Sequence, residues 1–332
     1  MDFQEGMMAN LFKGIATGMR RGITALGRVP PDEDVMQDFL PEYQKDFGGM
    51  KEYALELQSK ARAGDPDAVL AIASEYLTGG LVKADPIKAA RWMRKAAELG
   101  HAVGQMLFAS MCATGKGVPR DDIAAARWMH AAAEQGSSNA AFALAEFYDA
   151  GIGVPQDPKQ AAYWNVKAAL SGDAKAQNTL GIRYLHGRGI ERDYHAAKLW
   201  FEKSAEQDYA EAMFSLGVIH HGGHGVPRDE REATAWCRKA ADHGHIQAQV
   251  NLGFSYARGD GVKQDYAQAA VWFRKAAEQG HSGAQANLGV LYYNGWGLPQ
   301  DDVQSAVWIR KAADQGNADA LMHLKSLQNS AK

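Results

Sequence analysis

The stretch Asp265-Tyr-Ala-Gln-Ala-Ala-Val-Trp-Phe-Arg-Lys-Ala-Ala-Glu-Gln-Gly280 decides the fold of this 332-residue chain. Its apolar residues follow helical spacing, its aspartate stands where a helix N-cap belongs, and its glycine suits a left-handed C-terminal cap. The tryptophan recurs every 36 residues, at Trp92, Trp128, Trp164, Trp200, Trp236, Trp272 and Trp308. A fixed period of this length indicates an array of repeated units, with the seven indoles filling the space between stacked helices.

A second helix precedes the first in each unit. In Ala284-Gln-Ala-Asn-Leu288-Gly289-Val-Leu-Tyr292, the alanine, leucine and tyrosine lie four residues apart and form one stripe of a helix. A Gly-x-Gly segment follows and turns the chain, because glycine tolerates positive φ. We call the earlier helix of each unit helix A and the tryptophan-containing one helix B. Two antiparallel helices per 36 residues predict an all-α fold.

These motifs resemble a known repeat. The pattern A-x-x-x-L-G-x-x-Y, then G-x-G-V-x-x-D, then A-A-x-W-x-x-K-A-A-E-x-G is similar to the Sel-one-like repeat (SLR), a relative of the tetratricopeptide repeat, over roughly residues 65 to 328. Local departures are Gly104 in the alanine slot of helix A, and Cys112 and His220 in the tyrosine slot. The resemblance implies a right-handed α/α superhelical solenoid of 36-residue helix-pair repeats, and a role in assembling protein complexes.

The period divides the chain into four parts. Residues 1–50 form an N-terminal extension, 51–64 a degenerate N-terminal capping helix, 65–316 the seven repeats, and 317–328 a C-terminal capping helix. Residues 3–26 of the extension have the spacing of an amphipathic helix, and a proline-containing linker follows. Three interpretations of residues 3–26 stay open: a cap folded onto the array, a disordered or partner-binding arm, and a membrane-surface helix.

Composition indicates which cellular compartment and which classes of partner to expect. A formal net charge of −3 gives no reason to expect nucleic acid as a partner, and membrane contact is expected only through residues 3–26. Acidic residues near the start and the lack of a small-residue cleavage site argue against a signal peptide. Cys112 and Cys237 lie more than three units apart, which makes a disulfide between them sterically implausible. We therefore expect a cytoplasmic protein in a reducing environment.

Catalytic and metal-binding motifs are weak. His220, His221 and His224 lie close in sequence, but their repeat positions predict side chains facing different ways, so we predict no metal site. No G-x-S-x-G elbow, H-E-x-x-H, P-loop or Rossmann motif is present, and no cofactor is expected. A hydrolase acting on cell-wall or β-lactam substrates is an alternative implied by cysteine-rich relatives of the repeat, whose cysteines this chain lacks.

Helix-A positions opposite the alanine-leucine-tyrosine stripe vary between units and are unusually apolar. We predict that Phe142, Phe214, Phe254 and Tyr293 are aromatic anchors for a partner. Asn251 and Asn287 are predicted to bond the partner's backbone, and Arg183 and Arg258 to supply complementary charge. The alternative is that such side chains, with Met106, Ser110, Asn178 and Val250, pack against adjacent A helices. Trp296, outside the 36-residue period, is either a contact hot spot or a lid over a neighbouring loop.

The function predicted from these residues is a non-catalytic protein–protein interaction scaffold or adaptor. Its partner, a protein or peptide, is expected to lie along the concave helix-A face. An inhibitor or immunity protein that sequesters a bacterial effector is an alternative within the same binding class.

Overall fold

The computed structural model describes residues 50–330, and within that range the chain forms α-helices and connecting loops with no strand. The amphipathic helix predicted over residues 3–26 and the linker after it lie outside the described residues. The sixteen helices are α1 (Met50–Arg62), α2 (Pro66–Thr78), α3 (Pro86–Glu98), α4 (Ala102–Thr114), α5 (Asp122–Glu134), α6 (Ser138–Ala150), α7 (Pro158–Leu170), α8 (Ala174–His186), α9 (Tyr194–Ala205), α10 (Ala210–Gly222), α11 (Glu230–Asp242), α12 (Ile246–Arg258), α13 (Tyr266–Glu278), α14 (Ser282–Asn294), α15 (Asp302–Asp314) and α16 (Ala318–Ser330).

The helices alternate as the repeat pattern predicts. Even-numbered helices from α2 to α14 are the seven A helices, and odd-numbered helices from α3 to α15 are the seven B helices. Helix α1 occupies the stretch predicted as a degenerate cap, and α16 occupies the predicted C-terminal half-unit.

Side-chain caps begin the B helices, as the sequence predicts. The Oδ1 atom of Asp265 accepts hydrogen bonds from the backbone amides of Ala267 at 2.9 Å and Gln268 at 3.0 Å. These amides have no partner within the helix, so the carboxylate stabilises its first turn. The matching aspartates that cap the other B helices are Asp85, Asp121, Asp157, Asp193, Asp229 and Asp301.

A left-handed residue follows every one of the seven B helices, which explains the glycine eight residues after six of the seven tryptophans. Gly280 has a φ of 92°. Asp208 stands in the same slot after α9 and is the one non-glycine residue with positive φ among the described residues, at 60°. Aspartate is one of the few side chains that enter this region at moderate cost, so the turn keeps its shape without glycine.

The predicted stripe lies in the core, whereas the prediction for the tryptophans is only partly right. In α12, Ala248 and Leu252 are fully buried and Tyr256 nearly so. Trp92, Trp164 and Trp272 are buried, but four other indoles of the series are only half-buried: Trp128, Trp200, Trp236 and Trp308. A large side chain such as an indole is often enclosed only in part, and here a lysine three residues later often covers its face. The Lys239 ammonium, for example, lies 3.8 Å from the centre of the Trp236 ring.

The chain divides into two compact units, Met1–Ser171 and Gly172–Lys332. Consecutive helices from α1 to α7 pack against one another in the first, and those from α8 to α16 do so in the second. One apolar core in the second unit includes side chains from α9 through α14. Each unit is therefore a stack of helix pairs, the architecture of an α-solenoid, and the candidate site lies wholly within the second.

Candidate partner-binding groove

The second unit contains a groove between two successive A helices, α10 and α12, with the B helix α11 between them. Its volume is about 260 Å³. Four residues that the sequence predicts for partner binding line it: Phe214, Asn251, Phe254 and Arg258. They come from equivalent A helices of adjacent repeats; Phe254 of α12, for example, occupies the place that Val218, which also lines the groove, occupies 36 residues earlier on α10. Other lining residues are Gly217, Val218, His221, Glu230, Ala233, Thr234, Cys237, Ser255 and Asp260.

The two phenylalanines that line the groove are held by aromatic neighbours. The Phe214 ring stacks on the His245 imidazole, with centroids 4.5 Å apart and planes inclined by 18°. The Phe254 ring meets Phe273 edge to face at 5.1 Å. Both phenylalanines remain half-buried. Because their neighbours fix the ring orientations, each presents a preorganised apolar surface to the groove.

Polar groups are spaced along the same groove. The Asn251 Oδ1 atom accepts a hydrogen bond from Gln247 Nε2 at 2.9 Å, and the Thr234 hydroxyl donates to the Asp260 carbonyl at 3.1 Å. The exposed Arg258 guanidinium lies 5.2 Å from the centre of the Phe254 ring. An apolar wall with a few oriented polar groups is the usual composition of a binding site.

An acidic residue at the rim already has its charge compensated. Glu230 Oε2 lies 2.9 Å from His221 Nδ1, and Glu230 Oε1 accepts from Arg228 Nε at 2.8 Å. These hydrogen bonds, with that of His221 first, hold the pKa of the Glu230 carboxyl below its usual value. The carboxylate is therefore an ion-pair partner at neutral pH and is a poor candidate for a catalytic acid.

Cys237 is the one thiol lining the groove, and its surroundings make it a poor nucleophile. The Sγ atom donates to the Ala248 carbonyl at 3.2 Å, and burial raises the pKa of the thiol to about 12. Nucleophilic cysteines depend on a thiolate at working pH, whereas this side chain stays protonated.

The predicted Arg183 site is wrong, because the side chain is only 4% exposed. Its Nη1 donates to the Arg188 carbonyl at 3.4 Å. The residue occupies the slot just before the stripe tyrosine; in four other repeats this slot holds the buried side chains of Met111, Phe147, Ile219 and Leu291, and in the other two it holds the half-buried Glu75 and Ser255. Met106, Ser110, Asn178 and Val250 are buried as well, as expected for side chains that pack against adjacent A helices.

The remaining predicted contact residues lie away from the groove. Phe142 is half-buried on α6 in the first unit. Asn287 Nδ2 donates to the Gly283 carbonyl at 2.7 Å, one turn earlier in α14, and Tyr293, 40% exposed, meets His323 edge to face. The Trp296 ring lies against Tyr266, the first residue of α13, with centroids 5.3 Å apart, and keeps 46% exposure. It thus covers a neighbouring turn and still offers an open face.

Histidines that recur after the capping glycine have a role that sequence reasoning missed. His245 Nδ1 accepts from the Ala248 amide at 3.1 Å and so caps α12, while its Nε2 lies 3.0 Å from Glu211 Oε2. His101 and His281 cap α4 and α14 in the same way. The signal was a histidine immediately before each of these helices, in the place where Ser137 and Asp173 cap other A helices.

Glutamine pairs, each joining a buried helix-A glutamine to an exposed one after helix B, form a second missed pattern. Gln249 Oε1 accepts from Gln279 Nε2 at 2.8 Å, and Gln249 Nε2 donates to the Ala241 carbonyl at 3.2 Å. Equivalent pairs are Gln105–Gln135, Gln177–Gln207 and Gln285–Gln315. The other three repeats lack both glutamines and have instead Val69 with Leu99, Ala141 with Ser171, and Met213 with His243. This joint presence or absence at a spacing of 30 residues was readable from the sequence.

The histidine cluster near the groove separates in space as its repeat positions predict. His221 pairs with Glu230, whereas the His224 ring lies 5.4 Å from that of Tyr194. Between residues 50 and 330, no group of three or more His, Cys, Asp or Glu side chains is arranged to hold a metal ion.

Seven successive helix pairs, each 36 residues long, define the protein as a repeat protein of the α-solenoid class. The Sel1 repeat model matches residues 66–101, 102–137, 138–173, 174–209, 210–245, 246–281 and 282–317. The chain belongs to the Sel1 repeat family, whose members are generally protein-interaction scaffolds. None of the curated proteins compared with the chain matches it.

Two solved structures are similar to this chain. One is a Sel1 repeat protein from Oxalobacter formigenes, with 31% identity and a TM-score of 0.77 over 98% of this chain and 93% of that one. The other is a protective antigen with an SLR fold from uropathogenic Escherichia coli, with 34% identity and a TM-score of 0.77 over 82% of this chain. The match spans 58% of the length of the Escherichia coli protein.

No helix between residues 50 and 330 is both long enough and apolar enough to cross a lipid bilayer.

Proposed function

We propose that the protein is a non-catalytic scaffold or adaptor that holds a segment of a partner protein in the groove between α10 and α12. The observation that carries this proposal is the convergence of Phe214, Asn251, Phe254 and Arg258 on one groove. Two half-buried rings supply apolar area, the amide can bond a partner's backbone, and the guanidinium can meet a carboxylate. Aromatic and arginine side chains of this kind dominate the energy of protein interfaces.

The test compares a Phe214→Ala/Phe254→Ala double variant with a Leu199→Ala control. Leu199 is 50% exposed on helix B of an earlier repeat and does not line the groove. Tagged full-length proteins would be incubated with native lysate, and captured proteins compared by quantitative mass spectrometry. We expect partners retained by the unmodified protein and by Leu199→Ala to be lost from the double variant.

The double variant needs a stability control, because both phenylalanines pack on neighbours. Truncating a half-buried ring costs about 1 to 2 kcal/mol, less than the 3 to 5 kcal/mol of a fully buried one. Chemical unfolding should therefore show a weakened protein that is still folded at the capture temperature. Retention of the same partners by a folded double variant would refute the proposed groove.

The lack of catalysis is part of the same proposal. The thiol lining the groove is protonated at neutral pH, and the rim carboxyl of Glu230 is held ionised by its neighbours. Neither group is suited to nucleophilic or acid catalysis. Hydrolysis of a cell-wall or β-lactam substrate by the purified protein, abolished by changes at the groove, would contradict the proposal.

A reducing compartment, the cytoplasm, is proposed from the cysteines. Cys112 and Cys237 are both buried and free. Two unpaired thiols are typical of proteins kept under reducing conditions. Cell fractionation that places the protein outside the cytoplasm would refute this assignment.

A further inference from the structure

The groove owes its size to one pair of small side chains in the repeat that contains α10 and α11. In every repeat, the residue after the helix-A leucine slot is paired with the residue after the helix-B tryptophan, 20 positions later. The pairs are Ala73 with Met93, Ala109 with Met129, Ala145 with Asn165, Gly181 with Phe201, Gly217 with Cys237, Gly253 with Phe273, and Gly289 with Ile309.

The two members of a pair complement each other in size. A β-carbon built onto Gly181 would lie 2.6 Å from the Phe201 ring, and one on Gly253 would lie 2.7 Å from the Phe273 ring. The phenyl group therefore rests directly on the glycine of helix A. Where helix A has alanine, helix B has the slimmer methionine or asparagine, and these side chains are buried too. Interiors are packed this closely because an unfilled space forfeits dispersion contacts.

Gly217 and Cys237 are the exception, since both members are small. The gap has not been closed by a shift of α11 toward α10. A β-carbon on Gly217 would lie 3.2 Å from the Ala233 carbonyl oxygen, and one on Gly289 would lie 3.2 Å from the equivalent Ser305 oxygen. The two helix pairs approach equally closely, yet one contains Ile309 and the other only a thiol. The space that a large side chain fills elsewhere thus opens into the groove.

We propose that this space is a receptor for one aromatic side chain, a phenylalanine, of the partner. The inference rests on the proposed function and specifies what enters the groove. Equivalent positions of helix A and helix B enclose the phenyl groups of Phe201 and Phe273 in two other repeats. The corresponding space beside Gly217 therefore matches a phenyl group in size. Val218 and Phe254 supply the apolar walls, and the Phe254 ring already makes an edge-to-face contact of the kind that favours a second ring.

The first experiment uses a small probe and needs no known partner. Binding of N-acetyl-4-fluorophenylalaninamide to the full chain would be followed by fluorine NMR, with N-acetyl-leucinamide as competitor. We expect saturable binding at about millimolar concentration, the range of a fragment of this size, and much weaker competition by the leucine compound.

Variants locate the bound probe. Cys237→Phe fills the space from within and should weaken binding about tenfold or more, while the reverse change in the preceding repeat, Phe201→Cys, should add a second site without touching the walls of the first. Cys237→Met is the milder filler, as Met93 and Met129 occupy this slot in other repeats, and it serves if the phenylalanine variant fails to fold. Circular dichroism would verify the helical content of each variant.

Several results would contradict the proposal that the pocket receives a phenylalanine side chain. They are the absence of saturable binding, equal binding to folded Cys237→Phe or Cys237→Met, and competition by the leucine compound as strong as that of the phenylalanine amide. Partner capture that depends on Phe214 and Phe254 but persists in folded Cys237→Phe would also refute it, while leaving the proposed groove intact. Capture that depends on none of these residues would instead refute the proposed function, whatever the probe shows.

Discussion

Two glycines at opposite ends of α13 should respond differently to the same change, glycine to alanine. Gly280 follows the helix and has a φ of 92°, whereas Gly297 belongs to the next loop, packs on the start of α13 and has a φ of 70°. Both backbones are left-handed, so both substitutions carry the conformational cost. They differ in the space around the new methyl group.

The magnitudes follow from that space. At Gly280 nothing lies within 4 Å of an added β-carbon, so Gly280→Ala pays only for the left-handed backbone, about 1 to 2 kcal/mol, partly offset by a less flexible unfolded chain. At Gly297 the β-carbon would lie 2.2 Å from the Tyr266 carbonyl carbon and 2.3 Å from the Ala267 nitrogen. Overpacking adds about 1 to 3 kcal/mol or more, since backbone atoms cannot rotate away. We expect Gly297→Ala to be more destabilising by at least about 1 kcal/mol.

Guanidinium unfolding of the full chain, followed by far-ultraviolet circular dichroism, would measure the difference, and hydrogen exchange would show whether the loss is greatest around α13. Asp208→Gly is the matched control, because it restores glycine at a slot equivalent to Gly280 and should change stability by no more than about 1 kcal/mol. Equal destabilisation by the two alanine variants would refute the reasoning that contact, rather than φ alone, selects glycine at the second position.

Three further predictions concern polar groups. Gln279→Leu should destabilise by about 1 to 3 kcal/mol, because it leaves the buried Gln249 Oε1 without its partner, whereas Gln249→Leu leaves only the exposed Gln279 amide unpaired and should cost less; the double variant should cost less than their sum in an unfolding cycle. The hydrogen bond from His245 lowers the pKa of Glu211 below 4.5, so its stabilising effect is present above that pH and is lost as pH falls through the lower folded value. Glu211→Gln should therefore reduce stability by a few tenths of a kcal/mol at pH 7, allowing for solvent screening, and have no such effect at pH 3 in unfolding titrations. Burial raises the pKa of Cys237 to about 12, so maleimide should label it slowly at pH 7 and rapidly in denaturant, by mass spectrometry; fast labelling of the folded chain would contradict its burial.

Much of the fold was predictable because it depends on local chemistry repeated many times. An aspartate that caps a helix, as Asp265 does, acts within three residues of itself, and the 36-residue period repeats that evidence seven times. Groove residues were harder to choose. Phe214 and Phe254 were chosen by their repeat positions and line the groove, whereas Arg183 was wrong because its side chain is buried, at a slot where four other repeats have buried apolar residues.

The groove itself escaped sequence reasoning for a different reason. Its size depends on the sum of two side chains 20 residues apart on different helices, and Gly217 and Cys237 are unremarkable when each is considered alone. Likewise, half-exposure of Trp236 depends on how closely neighbouring helices enclose an indole, which a spacing pattern does not specify. Pairwise comparison across repeats would have detected the first effect but not the second.

The side-chain pairs that connect helix A with helix B in one repeat also affect how the number of repeats can change in evolution. Gln249 with Gln279, His245 with Glu211, and Gly253 with Phe273 each lie inside one 36-residue block that begins at an A helix. Duplication or loss of such a block transfers both partners together, so a new neighbour inherits matched contacts at once. A recombination point in the middle of a block would separate them and leave amides or cavities uncompensated. Gene rearrangement is therefore tolerated best at one phase of the period, whereas the pocket beside Gly217, which also uses Phe254 of the next block, is transferred only when both blocks move together.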